Sequence, residues 1–136
     1  MSKHGSVVLI VGEPGPMRDS LKMALSALPQ VGAVDLAPSA ESALLAMAER
    51  SPALVVYDAD MPGDNLGAVL AAVAKLQGKS LVIADSREQQ IRAEAAGASI
   101  ALLKGHRAAR LLEIVESLLC HSDAEREQGR RENSSD

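Results

Sequence analysis

Ala53-Leu54-Val55-Val56-Tyr57-Asp58-Ala59-Asp60-Met61-Pro62-Gly63 is the stretch that decides the fold. An apolar run ends abruptly in two carboxylates and a turn. Such a run reads as a strand buried on both faces, the mark of a parallel sheet. Two other runs end in the same manner, Val7-Val8-Leu9-Ile10-Val11 in Gly12-Glu13-Pro14 and Ile100-Ala101-Leu102-Leu103 in Lys104. Open α/β sheets place ligands at the carboxyl ends of their strands. With the three strands side by side, Glu13, Asp58 and Lys104 converge. Two acids and a base suit a hard metal ion and a phosphoryl group.

Helical patterns fill the intervals. Met17, Leu21, Ala24, Leu25 and Leu28 recur at helical spacing until Pro29. Val31–Leu36 reads as a weaker strand, nearer an edge. Ser39 caps a helix with the stripe Ala40, Ala43, Leu44, Met47 and Ala48, and Pro52 separates it from the strand Leu54–Tyr57. Leu66, Val69, Leu70, Val73 and Leu76 define a third helix, closed by Gly78 and succeeded by a strand over Ser80–Ala84. Ser86 with Gln89 forms a capping-box pattern for a fourth helix ending at Gly97. Its apolar stripe is thin, which predicts loose packing. Ser99–Leu103 is the fifth strand, and Leu111, Leu112, Val115, Leu118 and Leu119 mark the last helix. Five β-α units predict a doubly wound parallel sheet with helices on both faces.

Composition narrows the function classes. The chain has 136 residues, 47% hydrophobic and 24% charged, which fits one ordinary globular domain. Tyr57 is the only aromatic residue, so the core is aliphatic and stacking platforms for single-stranded nucleic acid are missing. A net charge of -4 without a Lys/Arg cluster speaks against direct DNA binding. Cys120 is the only cysteine, which excludes an internal disulfide and fits a reducing cytoplasm. Beside the stripe of the last helix, it reads as a buried structural thiol. No apolar segment approaches the roughly 20 residues of a membrane span. Met1-Ser2-Lys3-His4-Gly5 leads directly into a strand and not into a signal-peptide apolar region. Residues 1–121 read as the folded domain and 122–136 as a polar tail or linker.

With these elements in order, the chain resembles the receiver domain of bacterial response regulators over about residues 6–119. The resemblance is carried by Asp58-x-Asp60-Met61-Pro62-Gly63, Ala96-Gly97-Ala98 and Leu102-Leu103-Lys104, in that order. It implies a flavodoxin-like sheet of strand order 2-1-3-4-5 and a signalling switch, not an enzyme. By the same resemblance Asp58 accepts a phosphoryl group from a histidine kinase or phosphotransfer protein. Lys104 pairs with Asp58 at rest and with phosphoryl oxygens after transfer, while Mg²⁺ is held by Glu13, Asp58 and the Asp60 backbone carbonyl. Leu102-Leu103-Lys104-Gly105 without a proline after it looks like receivers that precede LuxR-type helix-turn-helix domains. A homodimer through the fourth helix, fifth strand and fifth helix is implied as well.

The chain also departs from that pattern. Family members place two acids after the first strand, and here stand Gly12 and Glu13. The Ser or Thr that ends the fourth strand falls at Ala84, with Ser86 two residues later, and Asp85 between them would repel a phosphoryl group if it faced the pocket. The switch aromatic of the fifth strand falls at Ala101. Plainer readings stand beside the functional ones. Glu13 near a helix start is equally a surface carboxylate favoured by the helix dipole. Asp58 and Lys104 could be solvated strand-end residues, and Asp60 and Asp64 could only shape the turn. His4, His106 and His121 lack ligand spacing and read as surface residues, and Tyr57 faces the other side of the sheet from Asp58. Two functional readings remain: a phosphoaccepting receiver with atypical or absent switching, and a pseudo-receiver interaction module that works independently of phosphorylation. A flavin-binding protein of the same fold would need a phosphate loop and flanking aromatics, which are missing.

Overall fold

The computed structural model describes residues 5–60, 65–105 and 109–120. The elements run β1 (Ser6–Val11), α1 (Pro16–Ser26), β2 (Val31–Ala37), α2 (Ala40–Glu49), β3 (Leu54–Asp58), α3 (Leu66–Lys75), β4 (Lys79–Ala84), α4 (Arg87–Ala95) and β5 (Ile100–Leu103). Residues 109–120 are helical and form α5. All pairings are parallel, and the five strands lie in the order β2-β1-β3-β4-β5. The doubly wound sheet expected from the sequence is therefore the sheet observed. His4, His106 and His121, the Met61-Pro62-Gly63-Asp64 loop and the 122–136 tail lie outside the described residues.

Alternation along each strand divides the core in two. Leu9, Val11, Val55, Tyr57 and Val82 face α2 and α3, where Ala43, Met47, Val69 and Val73 meet them. Val8, Ile10, Leu54, Val56, Leu81 and Ile83 face the other way, onto Leu21 and Leu25 of α1 and Val115, Leu118 and Leu119 of α5. Both faces of β1, β3 and β4 are thus covered, which is why these runs are apolar without interruption. Strand β2 is an edge strand of intermediate burial, as its weaker pattern implied. Helix α4 buries only Ala93 among its own residues, in keeping with its thin stripe.

Local chemistry explains most element ends. Ser39 Oγ accepts from Ser42 N–H at 3.1 Å and starts α2. Ser86 Oγ accepts from Gln89 N–H at 3.2 Å and starts α4, but Gln89 Oε1 reaches one residue further back, to Asp85 N–H at 2.6 Å. The capping box is present with its reciprocal bond shifted by one residue. Helix α4 ends as expected at Gly97, whose φ of +107° favours glycine.

Two expectations are corrected. Cys120 is exposed, because it comes after the buried pair Leu118-Leu119 and falls on the outer side of α5. At the end of α3 the left-handed residue is Gln77, with φ +62°, and not Gly78. Gly78 has a different task. A Cβ there would stand 2.8 Å from the Pro52 carbonyl oxygen, so only glycine lets the chain pass under the β3 entry. Gly78→Ala is expected to lower stability by about 2 kcal/mol in urea unfolding while leaving the native spectrum intact.

Candidate functional site

Three strand ends deliver the site, and backbone hydrogen bonds fix each of them. Gly12 N–H donates to Ala37 O at 3.0 Å, Ala59 N–H to Ile83 O at 3.0 Å, and Lys104 N–H to Ala84 O at 2.8 Å. The register sets Val11 beside Tyr57, Asp58 beside Ile83, and Ala84 beside Leu103. One residue beyond each strand therefore stand Gly12, Ala59 and Lys104, at the same rim of the sheet. Gly105, with φ +102°, turns the chain away immediately after Lys104.

Asp58 and Lys104 meet as expected, with Nζ 3.7 Å from Oδ1. Both side chains are partly sheltered, at 23% and 30% exposure. The same Asp58 oxygen accepts from Asp60 N–H at 3.0 Å, which ties the carboxylate to the turn after β3. Lys104 is shared further, with Asp60 Oδ2 at 3.5 Å and Asp85 Oδ1 at 3.7 Å. Burial pulls its ammonium toward the neutral form, yet the charges of Asp58, Asp60 and Asp85, with the hydrogen bond to Asp60, more than offset this and raise its pKa above 10.5. At neutral pH Lys104 is a fixed cation among three acids.

Glu13 is exposed and lines, with Gly12, Arg18, Asp58 and Lys104, a cavity of about 240 Å³ under the start of α1. A Cβ on Gly12 would touch Asp58 Cβ at 3.5 Å and lie 3.9 Å from Oδ2, an ordinary contact. A Cβ would be accommodated at position 12, and the glycine leaves that place beside Asp58 without a carboxylate. Oxygen donors suited to Mg²⁺ are present in kind but few in number. Among the described residues no group of three or more His, Cys, Asp or Glu is placed to hold a metal ion. Mg²⁺ commonly binds through one or two carboxylates plus substrate phosphates. The donor set fits an ion that arrives with a phosphate better than a resident one.

The remaining sequence expectations fall into place around this cluster. Ala84 ends β4 fully buried and has no hydroxyl to offer. Ser86 lies two residues past the end of β4, and its Oγ accepts from Gln89 N–H as the cap of α4. Ala101 is buried opposite Val82, in the core shared with α4. Tyr57 is buried on the α2–α3 side, away from Asp58. The sequence reading missed Arg18 and gave Asp85 only a repelling role. Asp85 joins Lys104 instead of merely threatening a phosphoryl group, and its position directly after the fourth strand was the available signal. Arg18 enters the cavity because it stands three residues before Leu21 and seven before Leu25, on the inward face of α1.

No family model matches the sequence, and no curated protein sequence matches it either. Solved structures do resemble it. The signal receiver domain of an HD domain-containing protein from Pseudomonas fluorescens Pf-5 superposes with a TM-score of 0.78 at 23% identity, covering 93% of this chain and 96% of that one. A signal receiver domain described as that of the putative response regulator NarL from Mycobacterium tuberculosis gives 0.70 at 27% identity, over 85% and 97%. A structure of the P1 domain of CheA3 in complex with CheY6 from R. sphaeroides gives 0.71 at 21% identity, again over 85% and 97%. Among the described residues no helix is long and apolar enough to cross a membrane. From strand order to the ends of β3 and β5, this chain has the CheY-like receiver fold of response regulators, the fold of two-component signalling.

Proposed function

We propose that this chain is a cytoplasmic receiver of a histidine-to-aspartate phosphorelay, with Asp58 as phosphoacceptor and atypical switching. The observation that carries the reading is the Asp58–Lys104 pair at the ends of β3 and β5, 3.7 Å apart, in a cavity open to a donor. An Asp58 oxygen attacks phosphorus, the bond from phosphorus to the donor's imidazole nitrogen breaks, and that nitrogen keeps the electron pair and takes up a proton. The cation that neutralises Asp58 beforehand is Lys104, and it is positioned to follow the charge onto the phosphoryl oxygens. Asp60 N–H holds one Asp58 oxygen and so orients the carboxylate. Asp58, the Asp60 carbonyl and Glu13 would hold Mg²⁺ accompanying the donor, and the ion would screen the repulsion between carboxylate and phosphoryl group.

The output half of the site differs from the usual arrangement. Ala84 has no hydroxyl to draw toward a phosphoryl group, and Ala101 has no ring to reorient. A pseudo-receiver working without phosphorylation is the second reading, favoured by these two alanines and by Gly12. Proposed partners are a histidine kinase or phosphotransfer protein, in line with the CheA3–CheY6 complex among the structural neighbours. A second copy of the chain docking on α4, β5 and α5 is also proposed. On that face Ile91 is 56% exposed and Arg110 is exposed, whereas Leu112 packs against the core.

Acetyl phosphate with Mg²⁺ is expected to add one phosphoryl group to the wild type and none to Asp58→Asn, read by intact mass. No adduct on the wild type favours the pseudo-receiver. Lys104→Met tests the electrostatic role. A lysine whose pKa is raised by folding contributes stability that is complete below its ordinary value of about 10.5 and is lost as pH rises through the higher folded value. Urea unfolding between neutral and strongly alkaline pH should therefore show a smaller alkaline loss in Lys104→Met than in the wild type. If the chain dimerises through α4, β5 and α5, Arg110→Glu should shift the mass measured by light scattering toward the monomer. An unchanged dimer would place the contact elsewhere.

A further inference from the structure

We infer that Arg18 is a second anchor of the Asp58 cavity, gripping phosphate oxygens from the α1 side while Lys104 holds them from the β5 side. The inference starts from an unpaired group. Arg18 Nε is buried and has no hydrogen-bond partner. A covered guanidinium N–H without an acceptor costs folding free energy, and buried donors are rarely left so. The cavity it lines contains Asp58 and Lys104. Lys104 is already matched by three carboxylates, at 3.5–3.7 Å, so the two cations of the cavity stand in opposite conditions. Gly12 has no side chain with which to answer Arg18 from the end of β1.

Position on the helix fixes the placement. Arg18 shares the inward face of α1 with the buried Leu21 and Leu25, and these two hold that face against the sheet. A planar fork of donors at this place matches phosphate geometry, whereas a carboxylate or an amide would not. The anchor also answers a deficit in the site. Ala84 cannot donate from the β4 side, and Arg18 supplies donors from the other wall of the cavity. The ligand class is a phosphate, either free or attached to Asp58. Binding of the free anion stands apart from the phosphoacceptor reading, while a role in transfer rests on it.

Arg18→Met and Arg18→Gln separate these cases, with inorganic phosphate as the probe and sodium chloride of equal ionic strength as control. Phosphate is expected to raise the melting temperature of the wild type and to leave both variants unmoved. Without phosphate, Arg18→Met should melt about 3 °C above the wild type, because it removes an unpaired buried donor and keeps the apolar stem. With acetyl phosphate, KM for labelling Asp58 should rise about tenfold in both variants, with a smaller change in the limiting rate. An equal phosphate shift in all three proteins, or none in the wild type, overturns the inference. An Arg18-dependent shift without any adduct on Asp58 leaves the anchor standing and removes the phosphoacceptor reading. An adduct with unchanged KM and unchanged phosphate shifts does the reverse.

Discussion

Everything in this molecule hangs on the parallel pairing of β1 with β3 and of β3 with β4. Those strands are covered on both faces, by α1 and α5 on one side and by α2 and α3 on the other. Parallel strands cannot be joined by tight turns, so each crossover must be a helix, and each helix must land on the sheet. The aliphatic runs serve both layers at once. A side effect of the same constraint is chemical. All strands finish at one rim, so the residues just past one strand become neighbours of those just past the next.

At that rim the dominant force is charge. One lysine faces three carboxylates, and of the three only Asp58 belongs to the central strand β3. The arrangement orients Asp58, whose Oδ1 also accepts from Asp60 N–H. It also sets a competition, since Asp60 and Asp85 share the same cation. These pairs are partly solvated and contribute little to stability. Their importance is positional, because together they set where the Lys104 ammonium rests. Arg18 stands outside this balance, on the opposite wall of the cavity, with its Nε unpaired.

Ala84, Ser86 and Ala101 give the β4–β5 side of the site its character. Asp58 and Lys104 pair across the ends of β3 and β5. Ala84 and Ala101 are small and buried, and Ser86 Oγ accepts from Gln89 N–H in the first turn of α4. That helix buries a single alanine of its own, so it is weakly held by the core. Ile91, exposed on α4, gives that helix an apolar point of contact.

Periodicity alone determined the strands, the helices and their alternation, because burial on two faces forces uninterrupted apolar runs and burial on one face forces a helical stripe. The convergence of Asp58 and Lys104 came from the same logic, since strand ends in a parallel sheet share a rim. Side-chain direction at the ends of elements was a different matter. Cys120 lies one residue past a buried pair, and a step of one residue on a helix turns a side chain by about 100°. Gly78 is required by the Pro52 carbonyl, a contact across the fold that no local pattern announces. Asp85 and Arg18 enter the site only because β4 is placed beside β5 and α1 is seated on the sheet. The sequence carries the two charges, but pairing one and isolating the other depends on distances between segments far apart along the chain, which only the packed tertiary structure sets.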